Sequence, residues 1–233
     1  LLYDDESGLQ LRISLVDHLL SLERSEQARQ QLDALLTFVF DDSPQWEWVA
    51  GVAEKLDDNA LGFKAIEHAY ARNRDLFDTY RDLLAAKEDW DKLVRVLVER
   101  AEELSDDMES AAASTCLDQA GSISRQYLND SIQALNYWLE AARIDPGLDR
   151  LFKALELATT IRDPSSTASL AETILKTLPA DSDERVHVIR VLLEARDSLG
   201  LESEAITLLK DLVATEEASF DEKRRLADES HGT

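Results

Sequence analysis

The stretch "SIQALNYWLEAARIDP", residues 131–146, carries small and large residues at spacings that decide how a helix can pack. Ala134, Trp138 and Ala141 follow one another at offsets of four and three residues, so they share one face of a helix. Small residues let two helix backbones approach closely, and a large residue fills the gap between them. Pro146 cannot continue a helix because it lacks a backbone N–H. The stretch therefore predicts a helix that packs between neighbouring helices and ends before Pro146.

Helices of this kind recur along the chain and are separated by short polar breaks. One residue near the start of the second helix of each unit marks the repeat: Ala28, Ala65, Leu93, Ala134, Ala168 and Ala205. The successive spacings are 37, 28, 41, 34 and 37 residues by subtraction. A helix, turn and helix repeated about every 35 residues is typical of a helical solenoid.

The order of Ala134, Trp138 and Pro146 resembles the tetratricopeptide repeat, whose unit is about 34 residues long. Phe152 and Leu155 are similar to the aromatic and aliphatic pair in the first helix of that repeat. The resemblance covers nearly the whole chain. It implies an all-α protein, a right-handed α-solenoid of about six antiparallel helix pairs whose first helices line a concave groove. Other arrays of helix pairs share the same packing physics and stay open as an alternative.

The repeat predicts a single array over residues 1–217 without an internal domain boundary. Its predicted units are residues 8–43, 44–73, 74–105, 106–146, 147–180 and 181–217. Residues 218–233 are predicted to form the first helix of a further repeat or a C-terminal tail. Because the chain has only 7 Gly and 4 Pro, we expect more than about two thirds of it to be helical.

The chain is strongly acidic, with 48 acidic and 25 basic side chains and a net charge of −23. This charge opposes association with phosphate backbones and anionic lipid, so we expect no nucleic-acid partner. Aspartates concentrate where helices are predicted to begin and where a carboxylate can cap the helix: Asp41, Asp42, Asp57, Asp58, Asp106, Asp107 and Asp163. Capping and solubility are therefore sufficient to explain the acidity.

Cysteine usage and apolar run length bear on the compartment. Cys116 lies among small residues and is predicted to be a buried, unreactive thiol; one cysteine excludes an intrachain disulfide framework. The longest apolar runs, such as "LLTFVF" at 35–40, are too short to cross a bilayer, so we expect no membrane insertion. These features favour a cytoplasmic protein. Since the chain begins at Leu1 without a methionine, we expect it to be part of a longer protein.

Catalytic and metal-binding patterns are missing from the sequence. The four histidines have no partner at a spacing suited to a metal ligand: His18, His68, His187 and His231. The sequence has no glycine-rich phosphate loop and no nucleophile motif. Carboxylate pairs such as Asp57 and Asp58 fit helix caps better than an acid and base pair. We therefore expect no enzyme activity, no cofactor, no metal and no small-molecule substrate.

The tryptophans divide between core and possible surface positions. Trp46, Val49 and Ala53 lie at helical spacing and predict a buried face. Trp48 lies about 200° around the helix from Trp46, so both cannot be central in that face. Trp48 either packs on the preceding unit or serves as an aromatic anchor for a partner. Trp90 is predicted to pack across the turn against the preceding helix.

Offsets from the register residues predict a charged binding surface. Arg150 and Lys153 lie 18 and 15 residues before Ala168, and His187 and Arg190 lie at the same offsets before Ala205. Members of each pair are three residues apart and share a helix face, which in the resembled family looks into the groove. Such a strip would suit an acidic segment or a free C-terminal carboxylate. The alternative is that these residues only pair with neighbouring acids.

The same offsets before Leu93 give Asp75 and Asp78, so the predicted groove is acidic near its middle. Two functions follow from the resemblance. One is a non-catalytic protein-protein interaction scaffold or adaptor, binding a peptide or protein partner along the concave groove. The other is a structural spacer segment of a large multiprotein assembly. A spacer has no reason to keep a chemically distinct groove, so groove chemistry separates the two.

Overall fold

The computed structural model describes residues 6–37, 44–179, 181–214 and 218–231, with side chains described for all of these except 6, 7 and 229–231. Within these ranges the protein is entirely helical and contains no strand. The helices are α1 Glu6–Ser21, α2 Ser25–Leu36, α3 Trp46–Lys55, α4 Asn59–Arg72, α5 Phe77–Ala86, α6 Trp90–Asp106, α7 Ser110–Gln126, α8 Ser131–Ile144, α9 Leu148–Thr160, α10 Pro164–Thr177, α11 Glu184–Ser198, α12 Glu202–Val213 and α13 Phe220–His231. A short 3-10 turn, Arg74–Leu76, precedes α5. The predicted all-α class is confirmed.

The helices fall into two compact units, Leu1–Asp89 with α1 to α5 and Trp90–Thr233 with α6 to α13. This division differs from the single array without a boundary that the spacing predicted, and it falls inside the predicted unit 74–105. In the first unit α1 packs on α2, and α4 packs on both α3 and α5. In the second unit each helix from α6 to α13 packs on the next along the chain. The result is a helical-repeat fold; the remaining predicted unit bounds stay predictions.

The connections between helices repeat one backbone feature. Seven residues with positive φ each stand directly before the residue that caps the next helix: Glu23, Asp57, Glu88, Met108, Asn129, Arg162 and Gly200. At Glu23, for example, the N–H of the following Arg24 donates to the carbonyl of Leu19 at 2.9 Å, which closes the preceding helix in a Schellman motif. Because only Gly200 is a glycine, these turns carry almost no glycine signal in the sequence.

These turns correct two of the register residues. The residue five positions after each turn between the helices of a pair is Ala28, Gly62, Leu93, Ala134, Thr167 or Ala205. The register residues Ala65 and Ala168 are therefore three and one positions too late by subtraction. Both alanines are buried. The error arises because buried positions recur every three or four residues along a helix, so that a small buried residue alone does not define the register.

Aspartate caps occur at some of the predicted positions. Asp58 accepts a hydrogen bond from the N–H of Leu61 at 3.0 Å, and Asp163 accepts from the N–H groups of Ser165 and Ser166. Caps at Asp58 and Asp163 are thus confirmed. The prediction is wrong for Asp57, which holds a positive-φ turn, and for Asp106 and Asp107, which end α6 and follow it. The predicted caps Asp41 and Asp42 lie outside the described residues.

The core of the second unit contains the stretch that predicts the repeat. Ala134, Trp138 and Ala141 are all buried, with at most 3% of any of them exposed. The indole N–H of Trp138 donates to the carbonyl of Asp118 at 3.2 Å. A Cβ placed on Gly121 of α7 would lie 2.5 Å from Nε1 of Trp138, closer than two such atoms can approach. Trp138 therefore fills the space over Gly121, and its predicted core position is confirmed.

Other buried side chains agree with the sequence analysis. Trp46, Val49 and Ala53 are buried in the first unit, and Trp46 stacks on His68 with ring centroids 4.5 Å apart. Cys116 is buried, as predicted. Trp90 stacks on Tyr127, the residue that follows α7, with centroids 3.9 Å apart. The stacking on Tyr127 is a contact that the sequence analysis did not predict, because the two rings are 37 residues apart by subtraction.

Candidate functional site

A cavity of about 760 Å³ lies in the first unit between α3, α4 and α5, and we call it the α3–α5 groove. Its lining comprises Glu47, Ala50, Gly51, Glu54, Asp58, Asn59, Gly62, Phe63, Ile66, Thr79, Leu83, Ala86 and Lys87. The α3 members recur at helical spacing and so share one face of the helix. The volume is within the range of about 300 to 1,000 Å³ that is common for ligand sites.

The floor of the groove is open because two helical glycines replace side chains. A Cβ added to Gly51 of α3 would meet no other atom within 4 Å. A Cβ added to Gly62 of α4 would contact the Cβ of Ala53 at an ordinary 3.7 Å. Half-buried Phe63, Ile66 and Leu83 supply apolar walls. The groove can therefore receive an apolar side chain from outside the described chain.

Carboxylates dominate the polar rim of the groove. Glu54 is exposed and makes no hydrogen bond or ion pair with any residue that the structure describes. Glu47 accepts one hydrogen bond, from the side-chain amide of Asn73 at 3.0 Å. Asp58 pairs with Arg29, and the N–H of Leu61 together with Arg29 holds the pKa of Asp58 below its ordinary value. All three side chains are therefore present as carboxylates at neutral pH.

The basic member of the lining is Lys87, which follows α5. Its Nζ lies 3.5 Å from the centre of the Phe63 ring, a cation–π contact. Lys87 is exposed, so this contact is made at the surface of the groove. The rim thus carries three carboxylates and one ammonium group.

Arg150 and Lys153, predicted to face an acidic partner, lie around a carboxylate of the chain itself. Oδ2 of Asp118 is 3.9 Å from Nε of Arg150 and 3.7 Å from Nζ of Lys153. Arg150 also donates to the carbonyl of Asp145, and only 14% of its side chain is exposed. The structure thus brings the two predicted residues together, and their charge is largely balanced by Asp118 and Asp145.

Arg190 is also paired within the chain. Its Nε lies 2.8 Å from Oε1 of Glu222 on α13, and the hydrogen bond from Arg190 lowers the pKa of Glu222 to about 2. His187 is exposed. Arg150 lies 12 residues before the turn at Arg162, whereas 12 residues before the turn at Gly200 stands Val188. The predicted equivalence of the two basic pairs is therefore wrong, because Ala168 is one position out of register.

Asp75 and Asp78 occupy the offsets from the turn at Glu88 that His187 and Arg190 occupy from the turn at Gly200. Asp75 is exposed, and its backbone N–H donates to the side chain of Asn73. Asp78 is exposed and pairs with Arg81 at 2.7 Å. Neither aspartate lines the α3–α5 groove.

Trp48 contacts the preceding helix pair. Its indole N–H donates to Oδ1 of Asp17 on α1 at 3.1 Å, and the ring is half-buried against the core of the first unit. Of the two interpretations of Trp48, the structure shows packing on the preceding unit. A partner that used Trp48 as an anchor would have to compete with this contact.

Metal and membrane sites were sought in the described part of the chain. Over those residues, no group of three or more His, Cys, Asp or Glu side chains is placed to hold a metal ion. None of the described helices has the length and apolar character needed to cross a membrane.

The α3–α5 groove was missed in the sequence, although it left a signal there. Gly51 and Gly62 stand inside predicted helices, where glycine costs about 1 kcal/mol relative to alanine. A glycine in such a place has a packing or functional reason, and neither residue was considered. The emphasis on charged residues at repeat offsets drew attention to side chains that turn out to be paired.

Comparison with known proteins finds likeness in structure alone. No protein-family model matches the chain, and no curated protein matches it in sequence. A structure of PilF from Pseudomonas aeruginosa is 15% identical, with 94% of this chain and 97% of that one covered and a TM-score of 0.36. The C-terminal part of a TPR repeat-containing protein from Cytophaga hutchinsonii is 12% identical, with coverage of 91% and 98% and a TM-score of 0.33.

A putative kinesin light chain from Podospora anserina with TPR-like repeats is 17% identical, with coverage of 91% and 96% and a TM-score of 0.30. Two of these three proteins are described as tetratricopeptide-type repeat proteins, in agreement with the resemblance in the sequence. At such identities and TM-scores the likeness extends to no function. The helical-repeat fold of this chain rests on its own helices and turns.

Proposed function

We propose that this chain is a non-catalytic protein-protein interaction scaffold that binds a peptide or a segment of a partner protein along its first helices. The α3–α5 groove is the binding site that supports this proposal best. The observation that carries it is Gly51, an exposed glycine inside α3 whose missing side chain leaves apolar space that no described atom fills. Proteins expose such apolar concavities mainly where another molecule binds.

A structural spacer is the competing function. Spacer helices need only pack on their neighbours, and for that purpose alanine at position 51 would be better than glycine by about 1 kcal/mol. The groove also combines apolar walls with a rim of one predominant charge. A binding scaffold accounts for both features, whereas a spacer accounts for neither.

An acidic segment or a C-terminal carboxylate remains a prediction for the partner of the Arg150 and Lys153 region. The ion pairs described above weigh against it, because an incoming carboxylate would have to displace Asp118 from both residues. Arg190 is engaged in the same way by Glu222. The α3–α5 groove needs no such displacement.

Selection of short random peptides on the intact chain tests the proposal. Peptides that bind the parent chain are then measured against Gly51→Leu, which fills the groove floor with a good helix former. The control is Gln30→Leu, which places the same side chain at an exposed position of α2. We expect Gly51→Leu to weaken binding at least about tenfold while Gln30→Leu leaves it unchanged.

Thermal unfolding of both variants shows that each remains folded. If no selected peptide distinguishes Gly51→Leu from Gln30→Leu, the groove is not a binding site and the spacer function is favoured.

A further inference from the structure

The α3–α5 groove has a charge asymmetry that specifies its ligand. We infer that it binds a basic segment of a partner protein, in which an apolar anchor side chain is flanked by Lys or Arg. This inference rests on the proposed function and names the partner class for the same site. It differs from the acidic partner predicted for the Arg150 region.

Carboxylates with unused capacity carry the first part of the argument. Glu54 has no partner among the described residues, and Glu47 has one, the amide of Asn73. Each ionised carboxylate can accept about four hydrogen bonds, so both can receive an ammonium or guanidinium group. Glu47, Gly51 and Glu54 recur at offsets of four and three along one face of α3. A cation beside either glutamate would therefore flank an anchor placed over Gly51.

Phe63 carries the second part. Lys87 already lies over its ring at 3.5 Å, so the groove contains a position that is favourable for a cation. Lys87 is exposed and lies at the end of a flexible side chain, so that a ligand cation can take its place. The ammonium of Lys87 also opposes a basic ligand, which makes it a useful control on the sign of the ligand charge.

The charge of the whole chain separates a basic partner from a second copy of the same protein. At a net charge of −23, two copies repel each other, whereas a basic segment is attracted over long range. The groove of one copy would moreover have to receive a surface that is itself mostly acidic. Charge complementarity therefore favours a partner of opposite charge.

The test uses three labelled synthetic peptides that share one leucine anchor and differ only in flanking residues, which are Lys, Ser or Glu. Fluorescence anisotropy on the intact chain at low and at physiological ionic strength gives the affinities. We expect the Lys-flanked peptide to bind about tenfold more tightly than the Glu-flanked peptide, with the difference shrinking as salt is added.

Variants of opposite sign localise the effect. Glu54→Lys is expected to weaken the Lys-flanked peptide about tenfold, and Lys87→Gln is expected to strengthen it about threefold. Glu99→Lys changes the net charge by the same amount at an exposed position of α6 and is expected to leave the affinity nearly unchanged. Equal effects of Glu54→Lys and Glu99→Lys would show that only the overall charge matters and would overturn the inference.

The remaining outcomes separate this inference from the proposed function. If all three peptides bind alike, or the Glu-flanked peptide binds best, and Gly51→Leu abolishes binding, the groove is a binding site but its ligand is not basic. If Gly51→Leu affects none of them, both proposals fail. If sedimentation shows self-association of the parent chain that Gly51→Leu abolishes, a second copy occupies the groove and the inference is wrong.

Discussion

Gly121 and Gly51 are both glycines inside first helices, yet their surroundings are opposite. Gly121 in α7 lies under the indole of Trp138, so close that a Cβ would be 2.5 Å from Nε1. Gly51 in α3 has nothing within 4 Å of the position its Cβ would occupy. The chain supplies the missing volume at the first glycine and leaves it empty at the second. The comparison shows that the opposing atoms, and not the glycine, decide whether such a position belongs to a core or to a site.

Removal of Trp138 tests the filled region and has the largest expected effect. Trp138→Ala should lower the free energy of unfolding by about 3 to 5 kcal/mol, because a cavity remains where the indole contacts Gly121. Chemical denaturation measures the change. Trp48→Ala is the control and should cost clearly less, since Trp48 is only half-buried. A Trp138→Ala variant that melts within a few degrees of the parent would contradict the core position.

Addition of one methyl group at Gly121 tests the same contact from the opposite side. Gly121→Ala should destabilise the protein by about 1 to 3 kcal/mol, because the indole must shift away from its hydrogen bond to the Asp118 carbonyl. Denaturant titration with tryptophan fluorescence reports the loss. Stability equal to that of the parent would mean that Trp138 does not lie against α7 as described.

Helix caps provide a comparison of intermediate size, because Asp58 at the groove and Asp130 before α8 cap in the same way. Each accepts an N–H three residues on, from Leu61 at 3.0 Å and from Gln133 at 2.9 Å. Replacement of either aspartate by alanine should cost about 1 kcal/mol. Asp58 also pairs with Arg29, so Asp58→Ala should be the more costly of the two. The reverse order would show that the pair with Arg29 contributes nothing.

The cap at Asp58 also predicts a pH dependence. The pKa of Asp58 in the folded protein is below its ordinary value of 3.8, so its stabilising effect is complete above pH 3.8 and is lost as the pH falls further. Asp58→Asn keeps the cap without the charge. The difference in unfolding free energy between the parent and Asp58→Asn should therefore shrink below pH 3.8. A constant difference would exclude the ionised carboxylate as its source.

Substitution at Gly51 has the smallest expected effect and the opposite sign to Gly121→Ala. Gly51→Ala should stabilise the protein by about 0.5 to 1 kcal/mol, because alanine is the better helix former and its methyl group meets no other atom. Melting temperature is the measurement. Destabilisation by Gly51→Ala would mean that the floor of the groove is filled, and the contrast between the two glycines would disappear.

Local patterns in the sequence were sufficient for the helices and for much of the core. Ala134, Trp138 and Ala141 could be assigned to one buried face because helical periodicity is a property of neighbouring residues. The breaks between helices were also visible. Their geometry was less accessible, since turns at residues such as Glu23 and Arg162 adopt positive φ without glycine. The register that depends on those turns was therefore misplaced at Ala65 and Ala168.

Pairing of charges was beyond the sequence. Arg150 and Lys153 meet Asp118, and Arg190 meets Glu222, across separations of about 30 residues or more that no local pattern encodes. Any of the 48 acidic side chains could have been a partner. Electrostatic energy depends on distance in space, so the free carboxylate Glu54 and the paired cations could be told apart only in the fold.

The sequence by itself determined that this protein is a helical repeat, because small and large residues at helical spacing dictate which faces become buried. Only the tertiary structure decided where the chain leaves space unfilled. A core and a groove begin from the same helical glycine, and the difference is whether a distant side chain such as Trp138 reaches it. Packing is a relation between residues far apart in the chain, and for that reason the α3–α5 groove became visible only when the helices were assembled.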